Sequence, residues 1–331
     1  MTDARTIAAD PSWLPHRIDT ATRQVEFFKI ARDTLADTGF LADRDPPPQE
    51  RAFVGWDEVA AMKPGSGNLH FIFHTAFCRS TLLVRAVDRP GTVAVLNEPF
   101  IIASMVNAGD AAKHLVAPLL ALLARPWSKG ESVIVKPTNH ANMIIPTVMQ
   151  QYPQARAVLM TNDLPVFLRS VARKGLMGRS WARKLFIELQ SYAAMDFGLE
   201  PLDSFALTDM QAAALAWFLN QRYFSAHLDN RVKGVAADRF RLLDGDRFDA
   251  ERAHTIDAMF AFFDISVDDG VADKLANGPV FDSHSKLGGA FAGDRATEDP
   301  ALAEEIDQVG QWAGIIARQA GVDLPLKHSL F

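Results

Sequence analysis

Phe71-Ile72-Phe73-His74-Thr75-Ala76-Phe77-Cys78-Arg79-Ser80-Thr81-Leu82-Leu83-Val84-Arg85-Ala86-Val87 is the stretch on which the reading of this chain turns. Three large apolar residues in a row make a short strand buried on both faces, and the run after Ser80 has the composition and length of a helix. Asn68 to Asp88 therefore reads as strand, turn and helix, with Ser80 and Thr81 in the helix's first turn. Free backbone N–H groups and the helix dipole attract phosphate at such a place. The hydroxyls of Ser80 and Thr81 and the guanidinium of Arg79 are further donors. Ser80 serves equally well as an ordinary N-cap, and the glycines of G-x-x-x-x-G-K-[ST] are absent. The turn alone leaves phosphate binding and simple capping both open.

Outward from this segment, short apolar runs alternate with longer helical ones, as in a parallel sheet with crossover helices. The predicted strands are Leu69 to Phe73, Thr92 to Leu96, Ser132 to Val135, Ala155 to Met160 and, less regular, Val232 to Ala236. Helices are predicted near Arg79–Asp88, Ala111–Ala124, Asn142–Gln150, Leu164–Lys174, Arg183–Gln190, Thr208–Leu228, Ala250–Phe263 and Ala301–Gln319. The fold class is α/β: three layers around a parallel sheet of about five strands, with a P-loop-like strand-turn-helix and helical additions. Residues 1–50 read as an N-terminal helical extension and linker, with a helix over Asp19 to Asp37 ended by Asp45-Pro46-Pro47-Pro48. Residues 51–331 read as one α/β domain.

The bulk numbers narrow the function. With 331 residues, 48% hydrophobic and 22% charged, the composition is that of an ordinary globular protein. No apolar run reaches the ~18 residues of a membrane span and no signal-like h-region opens the chain, so a cytoplasmic protein with no membrane partner is expected. Cys78 is the only cysteine, which excludes an intramolecular disulfide and a cysteine zinc cluster. A net charge of −6 gives no global footprint for nucleic acid, so any anion site is local.

The segment Phe71–Val87 resembles the 5′-phosphosulfate loop of sulfotransferases, whose usual form is strand-G-x-P-[RK]-S-G-T-T-L-L. Aligned on Thr81-Leu82-Leu83, Ser80 takes the first Thr, Cys78 the Ser, Arg79 the loop Gly and Phe77 the basic residue. Phe77, Cys78, Arg79, Ser80 and Thr81 are thereby implied as the 5′ site, with the family's cation and glycine both replaced. The resemblance continues in three further places. Glu98 lies 17 residues after Thr81 and follows the second strand, close to the spacing of the general-base glutamate in the tyrosylprotein branch. Its other role would be to favour the helix starting near Pro99. Val133-Ile134-Val135-Lys136-Pro137-Thr138-Asn139-His140 resembles the K-T-H segment of cytosolic members, which makes Lys136 a charge stabiliser and His140 an alternative base. Asn162-Asp163-Leu164-Pro165 stands where the family has R-[DN]-P, and Ser170 falls eight residues later, as the family's 3′-phosphate serine does. Asn162, Ser170 and a substitute cation, Arg169 or Arg173, are then implied for the 3′-phosphate. Lys286, in the loop Phe281 to Gly289, matches the late basic loop that closes over the nucleotide.

The resemblance implies 3′-phosphoadenosine 5′-phosphosulfate (PAPS) as co-substrate, no metal, and sulfuryl transfer to a small-molecule or peptide acceptor. A P-loop nucleoside kinase or NTPase is the first alternative, but it calls for a lysine before Ser80 or Thr81 and a strand-end aspartate for magnesium. A nucleotide-binding homologue without catalysis is the second. The aromatic-rich stretch Gly175 to Leu228 supplies part of the core and a candidate wall for an apolar acceptor.

Overall fold

The structure is a computed structural model that describes residues 3–65, 67–198, 200–282 and 299–331. Two sheets organise it. Strands β1 (Trp13–Asp19), β2 (Gln24–Lys29) and β3 (Arg51–Gly55) form a small antiparallel sheet in that order. Strands β4 (Leu69–His74), β5 (Val93–Asn97), β6 (Ser132–Lys136), β7 (Ala157–Thr161) and β8 (Phe240–Asp244) form a parallel sheet ordered β5-β6-β4-β7-β8.

Every residue of β4, β5, β6 and β7 is buried, as expected of parallel strands covered on both faces. Alternation along the pleat divides β4 between two cores. Phe71 and Phe73 enter one with the helices Phe100–Ala108, Val116–Leu123 and Ile145–Gln151. Ile72 enters the other, with the helices Ser80–Val87 and Arg252–Phe263. The predicted three-layer α/β architecture is therefore present. A third cluster unites the helices Leu164–Arg173, Gly175–Gln190, Asp209–Leu228 and Pro300–Gln319 beyond the C-terminal ends of the strands.

The predicted helix over Asp19 to Asp37 is corrected. Asp19 accepts the N–H groups of Ala21 and Thr22, and Arg23 takes a left-handed φ of 53°, closing a turn between β1 and β2. Phe27 and Phe28 are both buried, which an edge of a helix would not achieve but a covered strand does. Only Arg32–Asp37 is helical in that range. Arg32 fastens this segment to the main sheet, bonding Asp88 Oδ1 at 2.7 Å, Glu131 Oε1 at 2.9 Å and the Val93 carbonyl at 2.7 Å. The fifth strand is corrected too. Val232–Ala236 contains Gly234 at φ 81° and turns, while the apolar run Phe240-Arg241-Leu242-Leu243 supplies β8.

Neighbouring strands β4 and β7 send their crossovers to opposite edges of the sheet, and the crevice outside the carboxyl ends at such a switch point is where open α/β sheets bind ligands. The segment singled out in the sequence lies there.

Two buried histidines make the fold acid-sensitive. His70 on β4 stacks on Phe263 at 4.6 Å, and His227 packs against Tyr223 and Phe240. Burial pushes each imidazole down to about 4. Below its ordinary value of 6.5 the unfolded chain binds these protons and the native state does not, so stability present at pH 7 is lost as pH falls from about 6.5 toward 4. Thermal melting across that interval is expected to drop steeply. His70→Phe, which keeps the stacking, is expected to flatten the dependence by about one proton's slope, ~1.4 kcal/mol per pH unit.

Candidate active site

The turn after β4 is left-handed at three non-glycine residues: Ala76 at φ 74°, Phe77 at 56° and Arg79 at 62°. Arg79 stands at the position that the sulfotransferase loop fills with glycine, and its backbone takes the conformation for which glycine is suited. Several contacts hold the turn. His74 Nδ1 accepts the Ala76 N–H at 3.2 Å, and the other ring nitrogen donates to the Pro137 carbonyl at 3.1 Å. Asn142 Nδ2 donates to the His74 carbonyl at 3.0 Å. The helix Ser80–Val87 starts from this turn with no side-chain hydrogen bond from its N-cap residue, Arg79, and a helix start of this kind favours an anion. Ser80 and Thr81 are buried at its start. Cys78 is buried as well, and burial pushes its thiol up, which keeps it protonated and unreactive.

Arg79 does not turn to the crevice as a free charge. Its guanidinium bonds Asp246 at 3.0 Å and reaches Asp249 at 3.6 Å. The carboxyl of Asp163 is pushed up by burial first and then by Asp244 and Asp246, so an acidic rim lies beside Arg79. Phe77, at the family's cation position, packs edge-on against Trp181 at 5.2 Å and near Phe167 at 5.7 Å. A cation nevertheless returns to the spot from another element: Lys174 Nζ stands 5.8 Å from the Phe77 ring. Sequence spacing gives no hint of Lys174, since it reaches the turn from the break between two helices.

The second cluster comes from β5 and β6, whose register pairs Asn97 with Lys136. Lys136 is fully buried and its ammonium bonds Glu98 Oε1 at 2.6 Å and Asn97 Oδ1 at 3.3 Å. Glu98 has a left-handed φ of 50°, and its N–H donates to the Lys136 carbonyl at 2.7 Å. No side-chain hydrogen bond caps the helix Phe100–Ala108, whose N-cap residue is Pro99. Glu98 is thus a left-handed residue just past a strand's carboxyl end, its partly accessible carboxylate set on a buried ammonium. The N-terminal segment reaches this cluster, because Asn97 Nδ2 donates to the Gly39 carbonyl at 2.9 Å and Phe40 lies 5.5 Å from the ammonium. Asn97 and Phe40 were missed from sequence. Asn97 had a signal in its place beside Glu98, whereas Phe40, in a segment read as linker, had none.

The remaining expectations divide. His140 Nδ1 bonds Glu188 at 2.6 Å, and Trp181 Nε1 donates to His140 Nε2 at 3.0 Å, so both ring nitrogens are engaged. Asn162 is buried under the turn, its amide on the Phe77 carbonyl at 3.3 Å and its own carbonyl accepting Trp217 Nε1 at 2.8 Å. It supports the turn and does not reach out as the family arginine would. Ser170 is half-buried, donating to the Val166 carbonyl at 2.9 Å and accepting from Arg173 at 3.3 Å, which brings the two implied 3′-phosphate residues together. Lys286 lies outside the described residues.

The left-handed backbone gives a test. Arg79→Gly and Arg79→Ala both remove the solvent-exposed pairs to Asp246 and Asp249, each worth under ~1 kcal/mol. Only glycine relieves the conformational cost, so urea denaturation is expected to find Arg79→Gly more stable than Arg79→Ala by about 1 kcal/mol. Gly245→Ala acts on the same turn from the other side, since a Cβ there would lie 2.4 Å from the Cys78 carbonyl oxygen. A lowered melting temperature is expected.

No protein-family model and no curated protein matches the chain. Among solved structures, a sulfotransferase from Alicyclobacillus acidocaldarius is 16% identical, covering 78% of this chain and 98% of its own, with a TM-score of 0.42. The sulfotransferase domain from the Synechococcus PCC 7002 olefin synthase is 14% identical, covering 78% and 97%, with a TM-score of 0.43. That from the curacin biosynthetic pathway is 12% identical, covering 80% and 100%, with a TM-score of 0.40. The chain is similar to these sulfotransferases over nearly their whole length, at low identity.

Proposed function

We propose that the chain transfers a sulfuryl group from PAPS to a hydroxyl or amine of a small-molecule or peptide acceptor. The observation that carries this reading is the Glu98–Lys136 pair at the carboxyl edge of the parallel sheet that also carries the uncapped strand-turn-helix. The first amides of the helix Ser80–Val87, with Phe77, Cys78, Arg79, Ser80 and Thr81 around them, take the 5′ phosphosulfate; Lys174 adds charge beside Phe77. Ser170 and Arg173 take the 3′-phosphate.

The Glu98 carboxylate accepts the proton of the attacking hydroxyl or amine. As that oxygen or nitrogen bonds to sulfur, the bond from sulfur to the 5′-phosphate oxygen breaks, and 3′-phosphoadenosine 5′-phosphate (PAP) leaves. Like phosphoryl transfer, this step depends on positioning and charge. Lys136 holds the carboxylate in place and supplies positive charge behind it. Glu98 is preferred to His140 as base because both nitrogens of that ring are engaged. The kinase reading loses ground because Arg79, the cation before Ser80, is turned to Asp246 and Asp249. Those same pairs, and Phe77 in place of a cation, favour as second reading a homologue that binds nucleotide without turnover.

Incubation with 35S-labelled PAPS and cell extract is expected to label an acceptor with the wild type. Glu98→Gln is expected to lower the rate by at least about 100-fold while the Kd for PAP changes by less than about twofold. Transfer by Glu98→Gln at the wild-type rate would remove Glu98 as the base. Intact PAP binding with no transfer by the wild type would favour the binding-only homologue.

A further inference from the structure

The two acids that hold Arg79 are themselves fixed in place. Asp246 and Asp249 lie on the short helix Gly245–Ala250, which follows β8, and Asp244 at the end of that strand accepts the N–H groups of Asp246 and Arg247 at 2.9 Å. Gly245 approaches the turn after β4 so closely that a Cβ there would stand 2.4 Å from the Cys78 carbonyl oxygen. The backbone therefore sets both carboxylates beside the turn. Arg79 meets them from the N-cap of the helix Ser80–Val87, where its side chain starts next to the first free amides.

These pairs are easily exchanged. Side-chain exposures are 42% for Arg79, 47% for Asp246 and 32% for Asp249, and ion pairs so open to water contribute little to stability. A guanidinium on a phosphate or sulfate group makes two parallel charge-assisted bonds, which are stronger and better directed. Neither carboxylate is stranded when Arg79 leaves: Asp249 keeps Arg252 at 2.5 Å, and Asp246 faces water.

We infer that Asp246 and Asp249 are positioning residues that latch Arg79 away from the 5′ anion in the free chain, and that the bound anion draws Arg79 from them. The inference rests on the nucleotide site proposed above. A ligand shifts such an equilibrium only by its different affinity for the two arrangements, so opening the latch lowers the observed affinity for the nucleotide. Asp246 is the stronger part of the latch, at 3.0 Å against 3.6 Å, and Asp249 divides its charge between Arg79 and Arg252. In the bound state the cation absent at Phe77 is supplied by Arg79, two residues further on.

Calorimetric titration of the full chain with PAP, for the wild type, Asp246→Asn, Arg79→Ala and the double variant, tests this as a cycle. Asp246→Asn is expected to tighten PAP binding about three- to fivefold, the size set by one exposed pair, and the gain is expected to vanish when Arg79→Ala is also present. Removing a negative charge near the anion, without any part for Arg79, would give the same gain in both backgrounds. Melting of Asp246→Asn is expected to stay close to that of the wild type, because the side chain is exposed. No gain, or a gain of equal size with and without Arg79, would overturn the latch and leave the nucleotide site standing. PAP binding by neither the wild type nor Asp246→Asn would overturn both.

Discussion

A lysine ammonium with no exposed surface has to be compensated, and the way Lys136 is compensated arranges much of the site. Leaving such a charge unpaired costs several kcal/mol, whereas a carboxylate at hydrogen-bond distance offsets the loss of water. Parallel register sets Asn97 opposite Lys136, and the left-handed backbone at the next residue brings the Glu98 carboxylate to 2.6 Å from the ammonium. Asn97 extends the connection to Gly39, so the N-terminal segment is tied to the same point. The pair is thus a structural joint between β5 and β6 at the residue proposed as base.

The turn after β4 solves a different problem. A loop that offers amides to an anion has to bend the backbone through left-handed conformations, and glycine is the usual means. Here Ala76, Phe77 and Arg79 adopt them instead, held by His74, Asn142 and Asn162. Arg79 cannot act as an unattached cation while it pairs with Asp246 and Asp249. Charge near the turn comes from Lys174, across the Phe77 ring.

Much of this was legible in the sequence because parallel strands are short, apolar and bounded by helices. Four of five predicted strands overlap β4 to β7, and the five helices predicted from Leu164 onward are present, with Gly175–Gln190 longer than expected, whereas the short helices Pro201–Ala206, Gly245–Ala250 and Val271–Ala276 are not predicted. The segment Val25 to Leu35 misled because its apolar residues fit a helical spacing, while the Asp19 turn that makes a hairpin is a local hydrogen-bond device without apolar signal. Glu98 and Lys136 are implied by the family resemblance, at the ends of predicted strands. Their mutual contact, the engagement of His140 by Trp181 and Glu188, and the approach of Phe40 depend on pairing between distant segments, which one sequence does not display.

Calorimetric titration of the wild-type chain with PAP and with magnesium ATP bears most directly on the nature of the crevice. Saturable PAP binding with ATP weaker by about tenfold or more is the expected result, since Ser170 and Arg173 are proposed to take the 3′-phosphate and the altered turn has no P-loop lysine. Equal affinity for the two nucleotides, or no heat from PAP at millimolar concentration, would contradict the assignment.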